Sequence, residues 1–131
     1  MNVKPKVLIV DDEERFRSTM RKLLLAEGLE AFTCGSAIHA LEELRKNHYD
    51  IVILDVQMPD MTGVEALPQI KLVDPEIEVI VLTGHASVDT AKSIIKNGAF
   101  DYLLKPYSME TLLEKIESAF DRKIARKKLI P

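Results

Sequence analysis

Ile51-Val52-Ile53-Leu54-Asp55 decides the fold of this chain. A short β-branched run bounded by a polar residue reads as a buried strand of a parallel sheet. Three other runs have the same form: Val7-Leu8-Ile9-Val10 ends in Asp11 and Asp12, Val79-Ile80-Val81-Leu82 in Thr83, and Tyr102-Leu103-Leu104 in Lys105. In open α/β sheets the ligand site lies at the carboxyl ends of the strands. Three carboxylates, a hydroxyl and an ammonium, far apart in sequence, are therefore expected on one edge.

Between these runs the spacing turns helical. Phe16, Met20, Leu23 and Leu24 mark a first helix that Gly28 stops. Ala31 to Cys34 is a short second strand, and Ser36 caps a helix carrying Ile38, Leu41 and Leu44 that ends near Asn47. Thr62 with Glu65 reads as a capping box for a third helix, which Pro68 should kink or shorten. Ser87 caps a fourth helix with Val88, Ala91, Ile94 and Ile95 as its buried stripe, ended by Gly98. Ser108 caps a fifth with Met109, Leu112, Leu113, Ile116, Ala119 and Phe120 on one face. Five alternations predict a doubly wound, flavodoxin-like (β/α)5 fold, its parallel sheet ordered 2-1-3-4-5. The switch point between the first and third strands brings Asp11, Asp12 and Asp55 face to face.

At 131 residues, 47% hydrophobic and 30% charged, the chain is one domain with a single substantial core. Residues 1–121 form the domain; 122–131, with Arg122, Lys123, Arg126, Lys127 and Lys128, read as a solvated basic tail or the start of a linker to an output module. A net charge of -3 argues against direct nucleic-acid binding by this segment. No stretch is long enough to span a bilayer, and the lone Cys34 suits a reducing cytoplasm as a small core residue.

Three carboxylates at one point raise each other's pKa unless a cation is present. An oxygen-only donor set suits magnesium. Zinc lacks its usual ligands, since His39, His48 and His85 have no ligand spacing. A carboxylate beside magnesium and a lysine is equipped to attack a phosphoryl group. Asp55, on the most central strand, is the nucleophile candidate. Asp11 and Asp12 hold the metal directly or through water, Lys105 pairs with a phosphoryl oxygen, and Thr83 donates to another. An aspartate at one strand end is commonly a cap; the joint placement at four strand ends argues for a site.

The stretches Val10-Asp11-Asp12, Leu54 to Gly63, Leu82-Thr83-Gly84-His85-Ala86, and Gly98 to Pro106 resemble the response regulator receiver domain of two-component signalling, from Lys6 to about Phe120. The resemblance implies that Asp55 is the phosphoacceptor for a sensor histidine kinase or a small donor. It implies that Asp12, Asp55 and the backbone carbonyl of Gln57 coordinate magnesium (or manganese as a substitute), with Asp11 acting through water. Thr83 and Lys105 contact the phosphoryl group, and the Lys105-Pro106 peptide is cis. Tyr102 matches an aromatic switch position coupled to Thr83. Gln57 and His85 occupy the positions that modulate phosphoryl lifetime. The implied function is a cytoplasmic phosphorylation switch, catalysing only its own phosphotransfer and dephosphorylation. Its output is a homodimer or output domain bound through the fourth helix, fifth strand and fifth helix. The stretch from Gly84 to Ala91 is similar to receivers of transcriptional activators, including the sigma-54-dependent type.

Three rivals stand beside this reading. A magnesium phosphohydrolase with an aspartyl-phosphate intermediate would need a second acid where Gln57 stands. A nucleotide or flavin binder would need a glycine-rich loop after the first strand. A pseudo-receiver, never phosphorylated, is opposed by the intact set Asp11, Asp12, Asp55, Thr83 and Lys105.

Overall fold

Strands and helices alternate strictly along the chain. They are β1 (Lys6–Val10), α1 (Glu14–Ala26), β2 (Glu30–Cys34), α2 (Ala37–Lys46), β3 (Ile51–Asp55), α3 (Gly63–Val73), β4 (Glu78–Thr83), α4 (Val88–Lys96), β5 (Asp101–Leu104) and α5 (Met109–Lys128). They come from a computed structural model that describes residues 3–84 and 87–128. His85 therefore lies outside the described residues. The sheet is parallel in the order β2-β1-β3-β4-β5, as expected. Val10 lies beside Leu54, Asp55 beside Leu82, and Thr83 beside Leu104. That register puts the polar residue ending each run on one edge.

Side chains alternate between two faces along each strand. Leu8, Val10, Val52, Leu54, Val79 and Val81 pack under α2, α3 and α4, against Leu41, Leu67, Ile70 and Ile94 among others. Val7, Ile9, Ile51, Ile53, Ile80 and Leu82 pack against α1 and α5 through Met20, Leu24, Leu112, Ile116 and Phe120. Burying each large aliphatic side chain contributes about 1.5–3 kcal/mol, so the doubly covered centre of the sheet fixes the frame for the site.

The helix starts follow their caps. Ser36 accepts from the His39 amide, Ser87 from Thr90 and Ser108 from Thr111, and Thr62 with Glu65 forms the full capping box. Gly28 and Gly98, past the ends of α1 and α4, take φ of 85° and 107°, a region that favours glycine.

Several expectations need correction. α3 runs unbroken past Pro68, which lies on its exposed side. There the proline removes one intrahelical bond to the Val64 carbonyl without shortening the helix. Leu23 and Ile38 are exposed, and of the α4 stripe only Ile94 is buried. Val88 is 70% exposed and Ile95 also faces solvent. Cys34 is half-buried, and burial pushes its thiol up to about 11, consistent with an inert thiol.

The basic stretch is the largest difference. α5 continues through it to Lys128. The Lys123 side chain is only 2% exposed, with Nζ 2.9 Å from Asp50 Oδ1. Arg126 Nη2 donates to Glu78 Oε1 at 3.0 Å, and the Glu78 side chain is 1% exposed. Arg122 Nε lies 2.9 Å from Glu78 Oε2 without the alignment of a hydrogen bond. Asp50 and Glu78 stand where β3 and β4 begin, opposite the edge that carries Asp55. α5 is thus tied by charge to the amino ends of the two central strands it covers.

β2 and β5 are the outer strands. They begin with Glu30 and Asp101, and Asp101 Oδ2 holds Lys115 Nζ at 2.6 Å. Near β2, the Lys6 ammonium sits 5.0 Å from the Phe32 ring centroid and 4.7 Å from that of Tyr49.

Candidate functional site

Each run delivers its terminal polar group to the carboxyl edge of the sheet. Asp11 follows β1, and its amide donates to the Cys34 carbonyl, which holds the chain level with β2. Its Oδ1 accepts from the Glu13 amide at 2.8 Å. Asp55 closes β3. After it the chain turns back: the Val56 amide donates to the Leu82 carbonyl, and the Gly63 amide to the Val56 carbonyl. The first turn of α3 therefore presses on the backbone of Asp55. A Cβ at Gly63 would lie 2.7 Å from the Asp55 carbonyl oxygen, so only glycine permits this approach.

Asp11 and Asp55 are buried and Asp12 is exposed, and their carboxylate oxygens lie within 4.8 Å of one another. Among the described residues no other group of acids, histidines and cysteine is so arranged. Lys105 reaches in from the loop after β5, its Nζ 3.1 Å from Asp55 Oδ1. The Gln57 amide donates to the same oxygen at 3.2 Å, while the Gln57 side chain is exposed. Thr83 is buried at the end of β4, and its carbonyl accepts from the Lys105 amide at 2.8 Å. The Lys105-Pro106 peptide is cis, as the resemblance implies.

Burial pushes the Asp11 carboxyl up, and the charges of Asp55 and Asp12 add to that. The Glu13 amide and Lys105 act the other way, and Asp11 settles at about 6. Two carboxylates and a neighbouring third, with one ammonium for compensation, favour a bound cation. The donors are all oxygens, so the residues present fit magnesium. His39 and His48 lie outside the cluster.

Tyr102 lies on β5 opposite Val81, half-buried against the core layer of α2, α3 and α4. Thr83 pairs with Leu104, two residues further along β5.

The sequence reading missed three residues at the site. Arg17 Nη1 donates to the Asp11 carbonyl at 3.2 Å. Phe16, read only as part of an apolar stripe, meets Tyr107 edge to face, with ring centroids 6.5 Å apart and planes at 87°. The Lys105 ammonium sits 5.8 Å from the Phe16 centroid. Burial, then the charges of Asp11 and Asp55, hold the Tyr107 phenol above its ordinary range. Proximity of Tyr107 to Lys105 along the chain was the available signal; for Phe16 helical periodicity pointed only to the core.

Chemically, this edge offers a buried carboxylate with an ammonium 3.1 Å from it, a buried threonine at the end of the neighbouring strand β4, and an acid cluster able to hold a divalent ion. Residues 7–117 match the family described as response regulator receiver domain. The chain is 36% identical over 113 residues to the transcriptional regulatory protein ZraR of Escherichia coli (strain K12), covering 86% of this chain and 26% of that protein. It spans about a quarter of the length of the curated relatives it matches. Among solved structures, the beryllofluoride-activated NtrC4 receiver domain dimer is 41% identical with a TM-score of 0.85, covering 90% of this chain and 98% of that one. A CheY-like receiver domain protein from Methanospirillum hungatei JF-1 superposes with a TM-score of 0.89 at 28% identity, covering 95% and 99%.

Proposed function

Since this chain belongs to the response regulator receiver domain family, we propose that Asp55 is its phosphoacceptor and that the acylphosphate operates it as a signalling switch. One observation carries the assignment: Asp55 is the carboxylate that both lies in the acid cluster and meets the Lys105 ammonium at 3.1 Å. An Asp55 oxygen attacks phosphorus as the bond from phosphorus to the donor breaks, whether that donor is a phosphohistidine of a sensor kinase or acetyl phosphate. Lys105 then exchanges its contact with the carboxylate for one with a phosphoryl oxygen. The Thr83 hydroxyl donates to another.

Asp12, Asp55 and the Gln57 backbone carbonyl would hold magnesium, or manganese in its place, with Asp11 acting through water. The bound ion supplies neutralisation of charge on the transferred oxygens. A cation there would offset the charges of Asp55 and Asp12, which add to burial in raising the Asp11 carboxyl.

Modification adds charge and acceptor oxygens beside Thr83. Thr83 moves toward them, Tyr102 turns into the space released, and α4 with β5 shifts as a two-state element. Val88, Ile95 and Leu104 are exposed there, which supports partner binding through α4, β5 and α5. The partner is a second copy or an output module. Gln57 and His85 tune how long the phosphoryl group survives. The chain works in the cytoplasm; among the described residues no helix is long and apolar enough to cross a membrane.

The phosphohydrolase alternative is disfavoured by Gln57 in place of a second acid, and the pseudo-receiver by the complete set of acids, Thr83 and Lys105. Incubation with magnesium and acetyl phosphate, followed by intact-mass measurement, tests the reading. One added phosphoryl group that Asp55→Asn abolishes is expected. Steady release of phosphate from unrelated esters would favour the hydrolase, and no added mass the pseudo-receiver.

A further inference from the structure

We propose that Phe16 and Tyr107 form a positioning element that keeps the Lys105 ammonium aimed at the phosphoryl site. The inference rests on the assignment of Asp55 as phosphoacceptor and names a control on that same reaction.

Lys105 is a half-exposed lysine on a flexible four-carbon stem. In the resting pocket its ammonium has Asp55 Oδ1 at 3.1 Å and the face of Phe16 at 5.8 Å from the centroid. The two contacts differ in kind. The carboxylate occupies one N–H donor, and that contact must be given up when an Asp55 oxygen becomes esterified. An aromatic face attracts the cation through its quadrupole and takes up no strong acceptor position. Phe16 can therefore hold the ammonium near the reacting atoms while all its donors turn to phosphoryl oxygens.

Phe16 is itself braced. The edge-to-face contact with Tyr107 (6.5 Å, 87°) fixes its plane, and Tyr107 is two residues beyond Lys105 on the same loop. Lys105, Phe16 and Tyr107 close a triangle whose third corner is on the first turn of α1, directly after Asp11 and Asp12. The loop that carries the ammonium thus carries the brace for the ring that aims it. Tyr107 is half-buried, with its ring held in the edge contact with Phe16.

The reaction to measure is transfer from acetyl phosphate: an Asp55 oxygen forms the new bond to phosphorus, the bond from phosphorus to acetate oxygen breaks, and acetate leaves with its electron pair. Intact-mass kinetics in magnesium would be run on the wild type, Phe16→Leu, Phe16→Trp, Tyr107→Phe and Tyr107→Ala, and on Phe16→Leu in a Lys105→Ala background. Phe16→Leu and Tyr107→Ala are expected to slow labelling about two- to fivefold, the scale of a partly exposed cation–π contact. Phe16→Trp should retain or exceed the wild-type rate, and Tyr107→Phe should match it, because the brace is the ring and not the hydroxyl. In the Lys105→Ala background Phe16→Leu should change nothing further, an outcome that a merely structural role for Phe16 would not give. Equal rates for wild type and Phe16→Leu, an equal fall in Phe16→Leu and Phe16→Trp, or an undiminished Phe16 effect without Lys105 would overturn the inference alone. Absence of any added mass on the wild type would instead remove the phosphoacceptor assignment beneath it.

Discussion

Replacing Lys123 by methionine isolates the charge that holds α5 to the sheet. Methionine keeps an apolar stem of similar length, so packing on the buried path is largely preserved and the ammonium alone is lost. Asp50 then keeps the Lys6 amide at 2.8 Å and the His48 ring at 3.4 Å but loses its partner at 2.9 Å. Breaking a fully buried pair costs about 3–5 kcal/mol. Asp50 is partly solvated and retains other partners, so about 2–3 kcal/mol is expected at pH 7. For a domain of this size that is a fall of roughly 6–15 °C in the melting midpoint. Burial pushes the Asp50 carboxyl up, but the Lys6 amide, Lys123 and the charge of His48 outweigh it and hold it below its usual range. A depressed carboxylate contributes stability that is full above its unfolded value, about pH 4, and lost as pH falls through the folded value. The gap between wild type and Lys123→Met should therefore narrow below about pH 4 in denaturant titrations. Adding Asp50→Asn should recover most of the loss, since removing both charges relieves the stranded carboxylate. A midpoint for Lys123→Met within 2 °C of wild type (against the roughly 6–15 °C expected), or strictly additive losses in the double variant, would refute the coupling.

Two further outcomes follow from the site. Gly63→Ala puts a methyl 2.7 Å from the Asp55 carbonyl oxygen and 2.9 Å from the Val56 Cα; a loss of about 1–3 kcal/mol is expected, and an unchanged urea midpoint would contradict that close approach. Asp11→Asn in metal-free buffer should stabilise the chain at pH 7 by up to about 2 kcal/mol. The sign follows from a folded value raised to about 6: the wild type loses stability as pH rises from about 4 to 6, so the gain should vanish near pH 4. A gain independent of pH would exclude this origin.

The fold was legible because strand, turn and cap signals agreed at nearly every step, from Val7 to Ser108. The site was legible for a related reason: once the runs are aligned in parallel, their terminal polar residues must share an edge. Helix faces were less legible. Val88, Ala91, Ile94 and Ile95 have the spacing of a buried stripe, yet the sheet covers little beyond Ile94; periodicity gives a face its direction and not its depth of burial. Ion pairs across long separations left no local signal. Nothing around Lys123 announces Asp50, and Arg126 by itself looks like any surface cation near a helix end. Phe16 was hidden for the opposite reason, since a residue that fits the core pattern raises no question about a second contact.

The acids that begin the outer strands bear on the molecule's behaviour in a crowd. An open strand edge is a template on which another chain can add, and charge along it is a common protection. Glu30 opens β2, with the Lys6 cation held over nearby Phe32, and Asp101 opens the four-residue β5 with Lys115 bound to it. An incoming strand would have to desolvate fixed charge at either side. Protein made in large amounts can thus be kept from sheet-to-sheet polymerisation by its two margins, leaving reversible association to the helical faces.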